Sequence, residues 1–195
     1  MARICVFCGS RPGDLPEFAE AAELLGAFLA RHGHTLVYGG GSTGIMGILA
    51  DAVLRHGGNV IGVIPKHLAR PELMHDGVAD MRITLDMHER KAMMHSLADA
   101  YIALPGGYGT LEELFEAVTW AQLEIHTCPI AVLNTCGLFN GLVIMLDAMT
   151  EQGFLSPACR RHLQVFSNTA HMLEWAASLD CTQWVKESKG SGVFD

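Results

Sequence analysis

A glycine-rich segment near the middle of the chain has the composition of a phosphate-binding turn. It runs from Pro105 to Glu113, with the sequence PGGYGTLEE, and follows the apolar run Ala100–Leu104. Its glycines allow backbone N–H groups to converge where a helix begins, and the helix dipole adds about half a positive charge there. No Lys or Arg occurs between Lys91 and Arg160. The segment therefore predicts a phosphate site that is formed mainly by backbone groups.

The same segment also has a purely structural interpretation. Thr110 and Glu113 have the spacing of a capping box, with Thr110 as the N-cap and Glu113 as residue N3 of a helix over Leu111–Leu123. Capping would explain these two side chains, but it would not explain a proline and three glycines within residues 105–109.

Arg90 and Lys91 are the last basic residues before the long gap and lie in the sequence Met87-His88-Glu89-Arg90-Lys91. They fall near the start of a predicted helix over Met87–Leu97, where the helix dipole disfavours cations. The pattern predicts an anion clamp or a catalytic cation. The structural alternative is an exposed, solvated helix face.

A second glycine cluster, Gly39–Gly44, formally satisfies the dinucleotide-binding pattern G-x-G-x-x-G. That pattern also needs an acidic residue about 20 positions later, and the segment Asn59–Ile64 contains none. The Gly-Lys-Ser/Thr of a P-loop is missing as well. A nucleotide or phosphate site of another kind and a tight turn without a ligand both remain open.

Apolar strands that alternate with amphipathic helices predict an α/β, Rossmann-like three-layer fold, in which helices cover both faces of a parallel sheet of about seven strands. The predicted strands are Ile4–Cys8, Thr35–Tyr38, Asn59–Ile64, Met81–Leu85, Ala100–Leu104, Pro129–Leu133 and Gln164–Phe166. The predicted helices are Leu15–His32, Ile45–His56, Met87–Leu97, Leu111–Leu123, Phe139–Glu151 and Thr169–Leu179.

Parallel sheets of this kind bind ligands at the carboxyl ends of their strands. This rule places four segments at one edge of the sheet: Gly9-Ser10, Gly39–Gly44, Pro65–Asp80 and Pro105–Thr110. The third segment is the least periodic part of the chain, and we expect it to form a loop over the site.

Length and composition limit the remaining possibilities. The 195 residues, 50% of them hydrophobic, predict one domain over residues 1–180 and a flexible tail over 181–195. A net charge of −8 argues against a nucleic-acid partner, which would require a basic surface. No apolar run of about 18 residues predicts a membrane span.

The cysteines and histidines predict neither a metal site nor a disulfide framework. Cys5 and Cys8 are three residues apart in a predicted strand, so their side chains point to opposite faces and we expect both to be buried thiols. The ten histidines contain no metal-binding motif. Free thiols without an export signal favour a cytoplasmic location.

Together these motifs resemble the Lonely Guy family of cytokinin riboside 5′-monophosphate phosphoribohydrolases, whose members are often labelled possible lysine decarboxylases. The resemblance spans about residues 3 to 166. It depends on the segments Cys5–Ser10, Tyr38–Gly41, Gly44–Gly47 and Met87–Lys91, and on the full family motif PGGxGTxxE at Pro105–Glu113.

The resemblance implies that Arg90 and Glu113 are the catalytic pair and that no metal or organic cofactor is used. It adds Glu72, Lys91 and Thr119 to the substrate contacts. With Ser10 and the two glycine turns, the candidate substrate-binding set is Ser10, Gly40, Gly41, Gly44, Glu72, Arg90, Lys91, Gly106, Gly107, Tyr108, Gly109, Thr110, Leu111, Glu112, Glu113 and Thr119.

The implied reaction is hydrolysis of the N-glycosidic bond of a cytokinin nucleotide, and the implied assembly is a homodimer with sites near the interface. Met87, Met93, Met94 and Leu97 offer mild support for assembly, since they give one helix excess apolar surface. Two rival functions stay open: hydrolysis of AMP or another 5′-mononucleotide, and a non-catalytic nucleotide or cofactor carrier. The sequence does not determine whether Arg90 acts on the leaving base or on the ribose phosphate.

Overall fold

The computed structural model describes residues 1–179, so the predicted tail over 181–195 lies outside the described residues. Its strands are β1 (Arg3–Phe7), β2 (Thr35–Tyr38), β3 (Asn59–Pro65), β4 (Asp80–Thr84), β5 (Ala100–Ala103), β6 (Ile130–Leu133) and β7 (Leu163–Phe166). Its α-helices are α1 (Pro16–Arg31), α2 (Gly44–Arg55), α3 (Met87–Leu97), α4 (Tyr108–Gln122), α5 (Asn140–Glu151), α6 (Pro157–Arg160) and α7 (Thr169–Ala177). None of these helices is long and apolar enough to cross a membrane.

The seven strands form one parallel sheet in the order β4-β3-β2-β1-β5-β6-β7. The chain runs outward from β1 to β4 and then returns to pair β5 with β1. The strand order therefore reverses between β1 and β5, and a crevice opens at the carboxyl ends of strands at such a point. The predicted fold class is confirmed.

Two apolar layers cover the sheet. In β1, Ile4 and Val6 belong to the core beneath α1, α2 and α7, whereas Cys5 and Phe7 belong to the core beneath α3, α4 and α5. Cys5 and Cys8 are buried on opposite faces, as predicted. This alternation gives every central strand two buried faces, which explains why the strands are apolar throughout.

Helix α3 has the bounds that the sequence predicts, and a local cap explains its first residue. The side chain of Asp86 accepts a hydrogen bond from Glu89 N at 2.9 Å, and the Glu89 carboxylate accepts one from Leu85 N at 2.6 Å. This reciprocal pattern satisfies N–H groups that a helix start leaves unpaired. The cap holds the start of the helix that carries Arg90.

Two short elements were not predicted. A 3₁₀ turn, Thr135–Gly137, follows β6, and the single helical turn α6 precedes β7. The second has a local signal, because Ser156 caps it and Pro157 occupies its first position. Elements of one turn are too short for a hydrophobic period to show in sequence.

Candidate active site

A cavity of about 470 Å³ opens at the carboxyl edge of the sheet, where the strand order reverses. All four segments predicted to lie at this edge contribute to its lining. The lining residues are Val6, Cys8, Gly9, Ser10, Gly39, Gly41, Thr43, Met46, Ile64, Leu68, Leu73, Met87, Arg90, Gly107, Tyr108, Gly109, Thr110 and Glu113. Its size suits a small organic ligand.

Arg90 and Glu113 meet inside this cavity as a buried ion pair. Arg90 Nη1 donates to Glu113 Oε1 at 2.9 Å, and the two residues are only 8% exposed each. Arg90 Nε also donates to the carbonyl of Val63, near the end of β3, at 3.0 Å. The alternative of an exposed helix face is therefore wrong for Arg90.

The first glycine cluster makes room for this arginine. A Cβ atom on Gly39 would lie 2.2 Å from Arg90 Nη2, and one on Gly44, whose φ is +64°, would lie 2.3 Å from the Ser10 backbone. The cluster therefore packs closely against the turn at Ser10 and against the guanidinium group of Arg90. These packing demands account for its glycines without a dinucleotide.

The capping-box interpretation of the second cluster is wrong. Helix α4 begins at Tyr108 with Gly107 as its N-cap, so Thr110 and Glu113 lie inside the helix. Thr110 is buried, and a Cβ atom on Gly106 would lie 2.0 Å from its hydroxyl oxygen. The glycines start the helix earlier than its apolar period suggests, and they leave Glu113 facing Arg90.

Burial dominates the electrostatics of the pair. It raises the pKa of Glu113, and the positive charge of Arg90 opposes that shift without cancelling it. A carboxyl group whose pKa lies above the usual range can exchange a proton closer to neutral pH. The site therefore holds a carboxylate suited to charge stabilisation or to activation of water.

Lys91 does not line the cavity. Its ammonium group contacts Glu112, and it lies 2.8 Å from Glu116 Oε2, so it bridges two carboxylates of α4. These hydrogen bonds raise its pKa. Here Lys91 joins α3 to α4 instead of acting as a free anion clamp.

The other candidate residues divide into three groups. Ser10, Gly41, Gly107, Tyr108, Gly109 and Thr110 line the cavity with Arg90 and Glu113. Gly106 lines a neighbouring cavity of about 600 Å³, which shares Gly9, Ser10 and Gly107 with the first. Six lie outside the lining of both cavities: Gly40, Gly44, Glu72, Leu111, Glu112 and Thr119.

Within the last group, Glu72 and Thr119 are exposed. Glu72 is next to Leu73, which does line the cavity. Thr119 is six residues beyond Glu113 in α4, about 9 Å further along the helix axis.

The loop between β3 and β4 supplies cavity residues that the sequence analysis missed. Leu68 and Leu73 line the cavity together with residues of both glycine-rich segments. Ser42 N donates to Leu73 O at 2.8 Å, and His75 N donates to Gly40 O at 3.0 Å, so the loop is fastened to the first glycine cluster. Two leucines in a loop that also carries several charged residues were the available signal.

Comparisons with known proteins show what the chain is similar to. A family profile described as "Possible lysine decarboxylase" matches residues 46–175. The probable cytokinin riboside 5′-monophosphate phosphoribohydrolase LOGL3 of Oryza sativa subsp. japonica is 52% identical over 159 residues, covering 82% of this chain and 75% of that protein. The cytokinin riboside 5′-monophosphate phosphoribohydrolase LOG1 of Arabidopsis thaliana is 49% identical over 171 residues, covering 88% and 80%.

Solved structures share the fold at much lower identity. A molybdenum cofactor binding protein from Rippkaea orientalis superposes with a TM-score of 0.69 at 20% identity, covering 91% of this chain and 96% of that one. A Moco carrier protein from Chlamydomonas reinhardtii gives 0.67 at 21% identity, covering 90% and 94%. On the profile match and the close relatives, the chain belongs to the "Possible lysine decarboxylase" family, the Lonely Guy family whose members include curated cytokinin riboside 5′-monophosphate phosphoribohydrolases.

Proposed function

We propose that the protein hydrolyses the N-glycosidic bond of cytokinin riboside 5′-monophosphates, releasing the free base and ribose 5-phosphate. The observation that carries this proposal is the buried Arg90–Glu113 pair, which faces the same cavity as the N-terminal turn of α4. The arrangement supplies a carboxylate, a cation and a backbone anion site within one crevice. The names of relatives at about half identity support the same reaction.

The N-terminal turn of α4 is suited to the 5′-phosphate. Backbone N–H groups at a helix start are unpaired and partly positive, so they bind an anion without a side-chain cation. Gly107, Tyr108, Gly109 and Thr110 present this turn to the cavity. Binding energy from the phosphate then positions the scissile bond beside Glu113.

Glu113 is the residue that acts on the ribose. Cleavage of a glycosidic bond develops positive charge on the sugar, as in other glycoside hydrolases. The ionised carboxylate stabilises that charge and orients or deprotonates the attacking water. Arg90 holds the carboxylate in place and supplies positive charge to balance the electrons that the leaving base takes.

The family description as a lysine decarboxylase does not fit the lysines of the described chain. Residues 1–179 contain Lys66, which is exposed, and Lys91, which two carboxylates keep charged. A lysine that forms a Schiff base needs a lowered pKa, whereas that of Lys91 is raised. The basic side chains therefore favour the hydrolase reaction.

One assay discriminates among hydrolase, general nucleotidase and carrier. The protein is incubated with isopentenyladenosine monophosphate and, separately, with AMP, and the free base is measured. We expect rapid release of the substituted base. Comparable release of adenine from AMP would support the general nucleotidase. Binding of either nucleotide without release of base would support a carrier.

We infer that the protein forms a homodimer with its sites near the interface. The helix α3 residues that suggested assembly give little support, since Met94 and Leu97 are buried, Met93 is half-buried and Met87 lines the cavity. A better basis is α5 and the turn after it, where Ile144, Met145, Met149 and Phe154 are exposed. An apolar patch of this kind is typical of a protein interface.

The cysteines support a reducing compartment, and we propose the cytoplasm. No disulfide joins Cys5, Cys8, Cys128, Cys136 or Cys159, the cysteines of the described chain. A stable disulfide framework, which secreted proteins often use, is not needed by a core of this size.

The first prediction concerns the 5′-phosphate. Isopentenyladenosine, which lacks it, should be a very poor substrate compared with its monophosphate. The loss should appear in kcat as well as in KM, because binding energy away from the reacting bond is used in the transition state. Steady-state release of free base measures both constants, and equal turnover of the two compounds would contradict the phosphate assignment.

The second prediction concerns the charge of Glu113. Glu113→Gln should lower kcat by about a hundredfold or more, since it removes the charge that stabilises the ribose cation. The neutral amide would weaken the bond to buried Arg90 and lower the free energy of unfolding by about 1.5–3 kcal/mol. AMP binding should largely persist. Kinetics, thermal unfolding and calorimetry measure the three effects.

Glu112 is unsuitable as the control because it contacts Lys91. Glu20 is exposed on α1, in the opposite helix layer, and Glu20→Gln should leave all three measurements unchanged. A Glu113→Gln variant with near-normal kcat would show that Glu113 is structural only.

The third prediction concerns pH. If ionised Glu113 is the active form, kcat/KM rises as pH increases through the pKa of Glu113 in the free enzyme. Burial raises that pKa, so the acid limb should lie above about 4.3, the value of an ordinary glutamate. Arg90→Gln removes the charge that opposes the shift, so the limb should move to higher pH. A pH profile with its midpoint at or below the ordinary value would contradict the assignment.

The fourth prediction concerns assembly. Light scattering at micromolar concentration should give the mass of a dimer, and Ile144→Glu should produce a monomer by placing a charge in the interface. Leu24 is an exposed apolar residue on α1, so Leu24→Glu is the matched control and should remain dimeric. A wild-type monomer with full activity would refute the dimer.

A further inference from the structure

A buried histidine lies one turn beyond the catalytic pair, between the same two helices. His95 belongs to α3 and is 7% exposed. Its Nδ1 atom lies 2.8 Å from the hydroxyl oxygen of Tyr101 in β5, and its Nε2 atom lies 3.0 Å from Glu116 Oε1 in α4. The mechanism above assigns no role to this residue, although it joins three elements of the fold.

The partners of His95 determine where its proton lies. Glu116 also accepts a hydrogen bond from the ammonium group of Lys91. A carboxylate only accepts hydrogen bonds, so the proton of the imidazole must be on Nε2. Nδ1 then accepts from the Tyr101 hydroxyl, which stays protonated because burial raises the pKa of Tyr101. Burial also lowers the pKa of His95 and favours its neutral form, although nearby Glu116 opposes that shift.

Aromatic rings enclose this imidazole. The ring of Trp120 lies 4.4 Å from it and that of Phe7 lies 6.3 Å from it, both between centroids. The rings leave His95 little freedom to rotate, so the direction of its Nε2–H bond is fixed. Glu116 is therefore held at one oxygen by His95 and at the other by Lys91.

This network links α3 to α4 close to Arg90 and Glu113, whose separation matters for the proposed reaction. Lys91 follows Arg90 in α3, and Glu116 lies one turn beyond Glu113 in α4. A shift of Glu116 would therefore change how α3 and α4 approach each other at the catalytic pair. Misplacement by about 1 Å near a reacting bond can reduce the rate by about a hundredfold.

We propose that His95 is a positioning residue for the N-glycosidic hydrolysis: through its Nε2–H group it orients Glu116, which together with Lys91 fixes Arg90 against Glu113. His95 itself does not touch the substrate, since it does not line the cavity. The inference rests on the proposed function, and its test separates the two.

The test compares two substitutions at His95 with a matched control. His95→Ala should reduce kcat by about tenfold or more with little change in KM, because the phosphate turn remains intact. His95→Gln should restore most of kcat, since its amide can donate to Glu116 and accept from Tyr101. His88 is exposed on the same helix, and His88→Ala should match the wild type.

A second measurement reports the network without activity. The ¹⁵N resonances of the His95 ring in the wild type should show the neutral Nε2–H tautomer, and Tyr101→Phe should change them. Tyr101→Phe should also lower kcat, and it replaces His95→Ala in the kinetic test if the alanine variant does not fold.

Each outcome has one meaning. Unchanged kcat in His95→Ala, or in Tyr101→Phe where it replaces that variant, overturns the inference and leaves the hydrolase standing. A glutamine variant as slow as the alanine variant also overturns it. The amide could still donate to Glu116 and accept from Tyr101, so these hydrogen bonds would then not be what sustains kcat. The inference is also overturned if the His95 ring of the wild type is protonated on both nitrogens or carries its proton on Nδ1. A wild-type protein that releases no base overturns the proposed function and the inference together.

Discussion

The ion pair between Arg90 and Glu113 is the interaction on which the rest of the site depends. Two charges removed from water are stable only if geometry and further hydrogen bonds compensate for lost hydration. Arg90 therefore needs the carbonyl of Val63 as well as the carboxylate, and Gly39 must lack a side chain. The pair thus constrains residues from β3, the first glycine cluster, α3 and α4 at once.

A protein with a net charge of −8 can bind a phosphate if the anion site is formed by the backbone. The proposed function places this anion site at the start of α4, and the reversal of strand order between β1 and β5 puts that helix start in a crevice. The carboxylates of α4 meanwhile have their own partners. Glu113 pairs with Arg90, while Glu112 and Glu116 share Lys91, so little negative charge is left to repel the ligand.

Periodicity predicted the sheet, the helix layers and the edge at which the site lies, because buried strands and amphipathic helices leave a repeated apolar pattern. It also placed α3 correctly. It placed the start of α4 at Leu111 instead of Tyr108, because the residues after the N-cap Gly107 do not continue the apolar pattern of the helix. The glycines that make this early start possible were visible in sequence, but their consequence for Thr110 was not.

Side-chain partners were less predictable than elements. The residue types of Arg90 and Glu113 indicated chemistry, and the family resemblance paired them, but their contact requires α3 and α4 to approach each other on the same face of the sheet. The bridge from Lys91 to Glu116 and the place of Leu68 and Leu73 over the cavity depend on packing between distant segments. Such contacts leave no periodic signal in one sequence.

A double-mutant cycle on Arg90 and Glu113 tests the central claim most directly. The wild type, Arg90→Gln, Glu113→Gln and the double variant are compared by kcat/KM on isopentenyladenosine monophosphate and by thermal unfolding. If the two residues act as one unit, the double variant should be scarcely slower than the slower single variant. The double variant should also be no less stable than either single variant, since it leaves no unpaired charge buried. Losses in kcat/KM that multiply would show that the residues act independently and would contradict the account.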